Sequence, residues 1–212
     1  MSSYLNLLLP RAEPDDDPGT TGNSRLTSST GVVLTVLLLI EGFTLFDVRG
    51  YITLHTVLGL MLIGPVALKC ATTLYRFTRY YTGTPAYVRR GAPVLVLRLI
   101  GPLVVLSTLA VLGTGIALLV DHGASDTWIT LHQASFIVWI SLTGLHFLGH
   151  IVEAVRDTGR EFRRGSPADR GRAIRLFALA GSLAVGIALA AALTPSASSW
   201  QMHDHGRFHA VR

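Results

Sequence analysis

The chain has 212 residues, half of them hydrophobic, and a formal net charge of +5. Its mean hydropathy of +0.47 and the clustering of its apolar residues into blocks exclude an ordinary soluble domain and place it in the membrane class. The arginines lie between the apolar blocks, which assigns the positive charge to topology and lipid headgroups and excludes nucleic acid as the partner. The single cysteine, Cys70, excludes an internal disulfide and a cysteine-based metal framework.

In chain order, residues 1–30 are polar and carry Pro14, Asp15, Asp16, Asp17 and Pro18 ahead of a Gly/Ser/Thr run. This composition reads as a disordered tail. Five apolar spans follow at 31–48, 51–74, 93–120, 128–155 and 176–193, each close to or above the length of about 20 residues that crosses a bilayer. The Arg49-Gly50 turn makes the first two spans an antiparallel hairpin, and Gly64-Pro65 predicts a kink in the second. Residues 195–212 form a tail ending in MHDHGRFHAVR, in which His203, Asp204, His205 and His209 read either as a weak metal site or as an unstructured terminus.

Arginine counts set the orientation. The segment 76–92 carries Arg76, Arg79, Arg89 and Arg90, and 156–175 carries seven more, whereas of the two turns on the opposite side one holds Arg49 and the other, 121–127, holds none. The arginine-rich side is therefore expected to be cytoplasmic, with the amino terminus inside and the carboxyl terminus outside the cell (inner or plasma) membrane. Trp128 and Tyr51 fall at the outer boundary and Tyr75, Tyr80 and Tyr81 at the inner one, as interface anchors should.

The chemistry lies in spans two and four. Both run inward from the outer face, and His55 and His132 are each the fifth residue of their span, about 6 Å below its outer end at 1.5 Å per residue. Two helices that each offer a histidine at equal depth can clamp a haem, the iron taking one nitrogen from either side. The match repeats deeper: His146 is 14 residues after His132 and Lys69 is 14 after His55, about 21 Å along the axis and on nearly the same face. The inner level thus pairs a histidine with a lysine. His150 cannot complete it, since residues four apart on one helix point the same way.

The stretches LHTVLGLMLIGPVALK (Leu54 to Lys69) and LHQASFIVWISLTGLHFLGH (Leu131 to His150) resemble the haem-binding helices of the membrane b-type cytochromes. These comprise the bacterial cytochrome b561 group and the cytochrome b subunits that anchor dehydrogenases and molybdenum enzymes. The resemblance implies an all-α integral membrane fold, a bundle of five transmembrane helices with four forming a cytochrome b-like core. It maps His55, His132 and His146 to iron-ligand positions and leaves Lys69 at the fourth. The implied cofactors are one haem b, with a second and a quinone left open. The implied task is electron transfer between the quinone pool and an outer-face redox protein or molybdenum-type oxidoreductase, the chain acting as the membrane subunit of such an enzyme. A homodimer is left open.

The remaining polar residues carry alternatives. Lys69 could snorkel along its stem, neutralise a haem propionate or a headgroup, or ligate iron as a neutral amine. Arg98 could meet a propionate or snorkel, and His150 could contact a ligand, a quinone or a propionate. Glu41 could pass protons at a quinone site or cap a helix contact. The rival functions are a haem-free membrane anchor or assembly subunit, and a small proton- or ion-coupled transporter.

Overall fold

The structure, a computed structural model, describes the backbone of residues 17–89, 95–123, 125–162 and 171–209, and the side chains of these except 18, 95–98, 149–162 and 195–209. Five long helices and one short one make up the described chain: α1 (Pro18–Thr44), α2 (Ile52–Tyr81), α3 (Pro85–Arg89), α4 (Leu95–Val120), α5 (Asp126–Phe162) and α6 (Arg172–His209). Each long helix contains a stretch long and apolar enough to cross a bilayer: Gly19–Asp47, Ile52–Tyr81, Leu99–Val120, Asp126–Leu148 and Arg172–Thr194. The protein is an all-α, multi-pass membrane protein. Large apolar side chains such as Leu99, Leu103, Leu106 and Leu109 of α4, and Phe177, Val185 and Ile187 of α6, point outward, as a lipid solvent requires.

The first helix begins earlier than its composition suggests. Residues 18–30, expected in a disordered tail, are helical and packed, whereas residues 1–16 lie outside the described residues. Asp17 caps the helix, its Oδ1 accepting from the amides of Gly19 (2.8 Å) and Thr20 (3.1 Å), and Pro18 sits in the first turn where its missing N–H costs nothing. Thr20, Ser24, Arg25, Ser29 and Thr30 are then buried, and the Thr30 hydroxyl donates back to the Leu26 carbonyl (2.7 Å). A polar helix face whose hydroxyls turn back to backbone carbonyls, as those of Thr20 and Thr30 do, can pack without an apolar stripe. Composition alone does not register that.

At its other end α1 closes in a 3-10 turn, Leu45–Asp47. Asp47 Oδ1 accepts from the Gly50 amide (3.0 Å), and a Cβ at position 50 would run into that carboxylate. The expected hairpin therefore forms, but the α-helix stops at Thr44 and the 3-10 turn carries the span to Asp47. The second helix runs on past Leu74 to Tyr81 and is continuous through Pro65. The fourth and fifth spans also overrun their expected inner limits: α5 reaches Phe162, and α6 starts at Arg172 and stays helical to His209, through most of the expected tail. The turn between α4 and α5 uses left-handed His122 and Gly123 (φ 52° and 66°), with Asp121 Oδ2 capping the amide of Ser125 (2.7 Å).

Four helices form a ring. The first packs against α2 and α5, α5 packs against α4, and α4 meets α2 more lightly, so that α2 and α5 face each other across a diagonal. The sixth helix lies outside the ring, along α2. That seam is the tightest in the bundle: a Cβ on Gly64 would run into the Ser182 carbonyl, and one on Gly186 into the Met61 carbonyl. Pro65 is fully buried there, and Ala190 packs with Leu60 and Leu119 nearby. Without water to drive association, backbone approach of this kind is what holds membrane helices together. Gly64→Ala and Gly186→Ala should each cost about 1–3 kcal/mol by overpacking, despite the better helix propensity of alanine. Gly181→Ala, where a Cβ meets open space, should cost nothing. Thermal unfolding of the three variants in detergent checks the difference.

Candidate functional site

The site sits where the α1–α2 hairpin turns. Glu41 is three residues before the end of α1, and His55 is three residues after the start of α2, so the two side chains share one depth. Glu41 Oε1 lies 2.9 Å from His55 Nδ1, and Thr44 Oγ1 lies 2.9 Å from the same nitrogen. The Thr44 hydroxyl donates its proton to the Glu41 carbonyl (2.6 Å). Its oxygen is therefore an acceptor toward the imidazole, and Nδ1 is the donor, shared between carboxylate and hydroxyl. A neutral imidazole with its proton on Nδ1 carries its lone pair on Nε2.

The same logic holds across the diagonal. His132, on α5, has its Nδ1 3.0 Å from Thr114 Oγ1 of α4. The Thr114 hydroxyl donates to the carbonyls of Ala110 (2.8 Å) and Val111 (3.1 Å), so it accepts from the histidine. Ser135, whose hydroxyl donates to the His132 carbonyl (2.9 Å), also lies 3.2 Å from Thr114 Oγ1. Gly115 makes room for the ring, since a Cβ there would stand 3.3 Å from His132 Cε1. Deeper along the same seam, Trp139 Nε1 donates to Thr108 Oγ1 (3.0 Å). Hydroxyls of α4 thus fix the orientation of α5.

The two imidazoles come together. Their ring centres are 6.3 Å apart and their planes are nearly perpendicular, at 83°, although their helices are diagonal in the ring. Both histidines are half-buried, and the Glu41 side chain is 14% exposed. Its second oxygen, Oε2, is buried and has no hydrogen-bond partner among the described residues. Gly59, one turn below His55, faces Glu41 at ordinary contact distance (3.8 Å from a Cβ position to Oε1). Among the described residues no three His, Cys, Asp or Glu side chains gather as a metal-ion site, so the constellation is two imidazoles, each oriented by its own neighbour.

The other expected site residues distribute differently. Lys69 turns toward α1, where Nζ donates to the Thr27 carbonyl (2.7 Å) and stands 3.0 Å from where a Cβ on Gly31 would be. Asn23 of α1 donates to the Thr72 carbonyl (3.2 Å) one turn further along α2, so this end of the hairpin is stitched by side chain-to-backbone bonds. His146 is half-buried on α5, about four turns beyond His132. The side chains of Arg98 and His150, and those of His203, Asp204, His205 and His209, lie outside the described residues. Sequence reasoning missed Thr44 and Thr114, and it weighed Glu41 for a quinone site or a helix contact without pairing it with His55. The signal for Glu41 was its distance from the hairpin turn, obscured by running the first span to Val48.

Compared with known proteins, the chain matches no family model, no curated protein and no solved structure.

Lys69 is the clearest single bond between α1 and α2 at the arginine-rich end. Lys69→Met keeps the stem and removes the charged donor. It should destabilise the protein by about 1.5–3 kcal/mol, the usual worth of a hydrogen bond to a charged group, read from the unfolding midpoint in detergent.

Proposed function

We propose that the protein is a membrane cytochrome of the b type that passes electrons, and that His55 and His132 would hold one haem near the arginine-poor end of the bundle. The observation that carries this reading is the pairing of the two imidazoles. Two rings bonded to one metal from opposite sides, each at about 2 Å, would have their centres about 6 Å apart. The 6.3 Å between His55 and His132 fits that spacing. The hydrogen bonds fit as well: both Nδ1 atoms are engaged by neighbours, leaving Nε2 as the ligating atom, and a ligating histidine commonly donates its other N–H in this way.

Each part of the chain then has a task. The α1–α2 hairpin presents His55, and the α4–α5 seam presents His132. Thr44 and Thr114 fix the tautomers, while the apolar helices exclude water and so raise the influence of nearby charge. The haem, when bound, would supply the one-electron redox chemistry. The donor we favour is the quinone pool and the acceptor a redox protein or molybdenum-type oxidoreductase on the outer face, with the chain as that enzyme's membrane subunit. We place the arginine-rich end in the cytoplasm and the site toward the outside. His146, opposite Lys69 by sequence depth, would serve a second haem only with a ligand from elsewhere, such as a second copy of the chain. A carboxylate–imidazole pair inside two spans also suits a proton-coupled transporter, and that reading takes over if the haem reading fails.

A reduced-minus-oxidised spectrum of protein purified from haem-replete cells tests the proposal. Haem b absorption bands are expected, and their absence overturns it. His55→Ala and His132→Ala should each abolish that haem, while His146→Ala should spare it. For orientation, a cysteine at Thr127 should react with a membrane-impermeant maleimide added outside intact cells, and one at Ser166 should not.

A further inference from the structure

The two imidazoles are alike in tautomer but not in company. His55 donates toward a carboxylate as well as a hydroxyl, whereas His132 donates to a hydroxyl whose own proton is committed to backbone carbonyls. Glu41 Oε2 is buried and has no hydrogen-bond partner among the described residues. Oε1, at 2.9 Å from the imidazole, is thus the oxygen through which the carboxylate is held. Position 59, where a side chain could press on that oxygen, is a glycine. A carboxylate held this way inside a membrane span is costly unless it is matched to a partner, and His55 is the partner to which the hairpin delivers it.

We infer that Glu41 is a positioning residue that sets the reduction potential of the site by acting through His55. The inference rests on the haem reading of the His55–His132 pair. A carboxylate hydrogen-bonded to the far nitrogen of a ligating imidazole raises its basicity as a ligand. Negative charge at that distance in a low-dielectric setting also favours the more positively charged, oxidised iron. Glu41 therefore lowers the potential, and Thr114, being neutral, does not. The two residues that would hold the haem are thus unequal: His55 would be the strong donor and His132 the ordinary one.

Redox potentiometry of the purified holoprotein tests this, with haem content measured in parallel. Glu41→Gln keeps the size of the side chain and an oxygen that can accept from Nδ1, and removes the charge. It should retain haem and raise the midpoint potential, changing the reduced-to-oxidised ratio at a fixed potential by tenfold or more, which is about 59 mV for a one-electron couple. Thr114→Val should move the potential less. An unchanged or lowered potential in Glu41→Gln overturns the inference while leaving the haem reading standing, whereas a wild-type protein without haem bands overturns both. If the glutamine variant does not fold, Glu41→Asp serves: it keeps the charge but withdraws it by one methylene, and it must raise the potential, by less. In haem-free protein, nitrogen-15 NMR of the histidine rings should find the His55 proton on Nδ1 in the wild type, with its hydrogen bond weakened in Glu41→Gln. A His55 proton resident on Nε2 overturns the inference without reference to haem.

Discussion

The Nδ1–H of one imidazole, that of His55, ties the first two spans together close to where they turn. It is shared by Glu41 and Thr44, and the bond to Glu41 brings a carboxylate and an imidazole into one small volume. In hydrocarbon neither group would be tolerated alone. Paired, they fix the registry of α1 against α2: a slip of one residue would rotate each side chain by about 100° and break the contact. The rest of the hairpin follows that registry. Lys69 reaches the Thr27 carbonyl and Asn23 the Thr72 carbonyl only because the turn end is already aligned.

Hydroxyl groups play the corresponding part on the other side of the ring. Thr108 and Thr114 join α4 to α5 with bonds to Trp139 and His132, while their own protons go to carbonyls of their own helix. Each hydroxyl is thereby made an acceptor, and the donor atom of its partner is specified. Both histidines are poised in the same tautomer by this device.

Much of this was legible in the chain before the structure. Five apolar blocks gave five helices because hydropathy of that length has few other outcomes, and counting from the outer boundaries brought His55 and His132 to one level. Residues 18–30 were not legible, because Ser, Thr and Asn are read as disorder when their bonding partners are unknown. Thr20 and Thr30 bond carbonyls of their own segment and Asn23 bonds the backbone of α2. The bonds of Glu41 and Thr114 were hidden for another reason. A depth argument orders residues along the membrane normal but does not say which helices are neighbours. The ring order, with α1 beside α5 and α2 across from it, emerges only from packing. The direction of Lys69, toward α1 and the gap left by Gly31, depended on that same order.

The diagonal placement of the two histidines has a consequence for biogenesis. The α1–α2 hairpin and the α4–α5 hairpin can each enter the bilayer as a self-contained unit, in keeping with the independent insertion of membrane helices before they associate. Neither carries a complete site. The imidazole pair comes into being only when the two hairpins dock, so it marks the finished bundle. Any ligand that bridges both rings would favour the docked state over the separated one by mass action, acting as a clasp between two halves that otherwise meet through a light α2–α4 contact and the seam of α1 with α5. The last span, held outside the ring, could join after that clasp had closed.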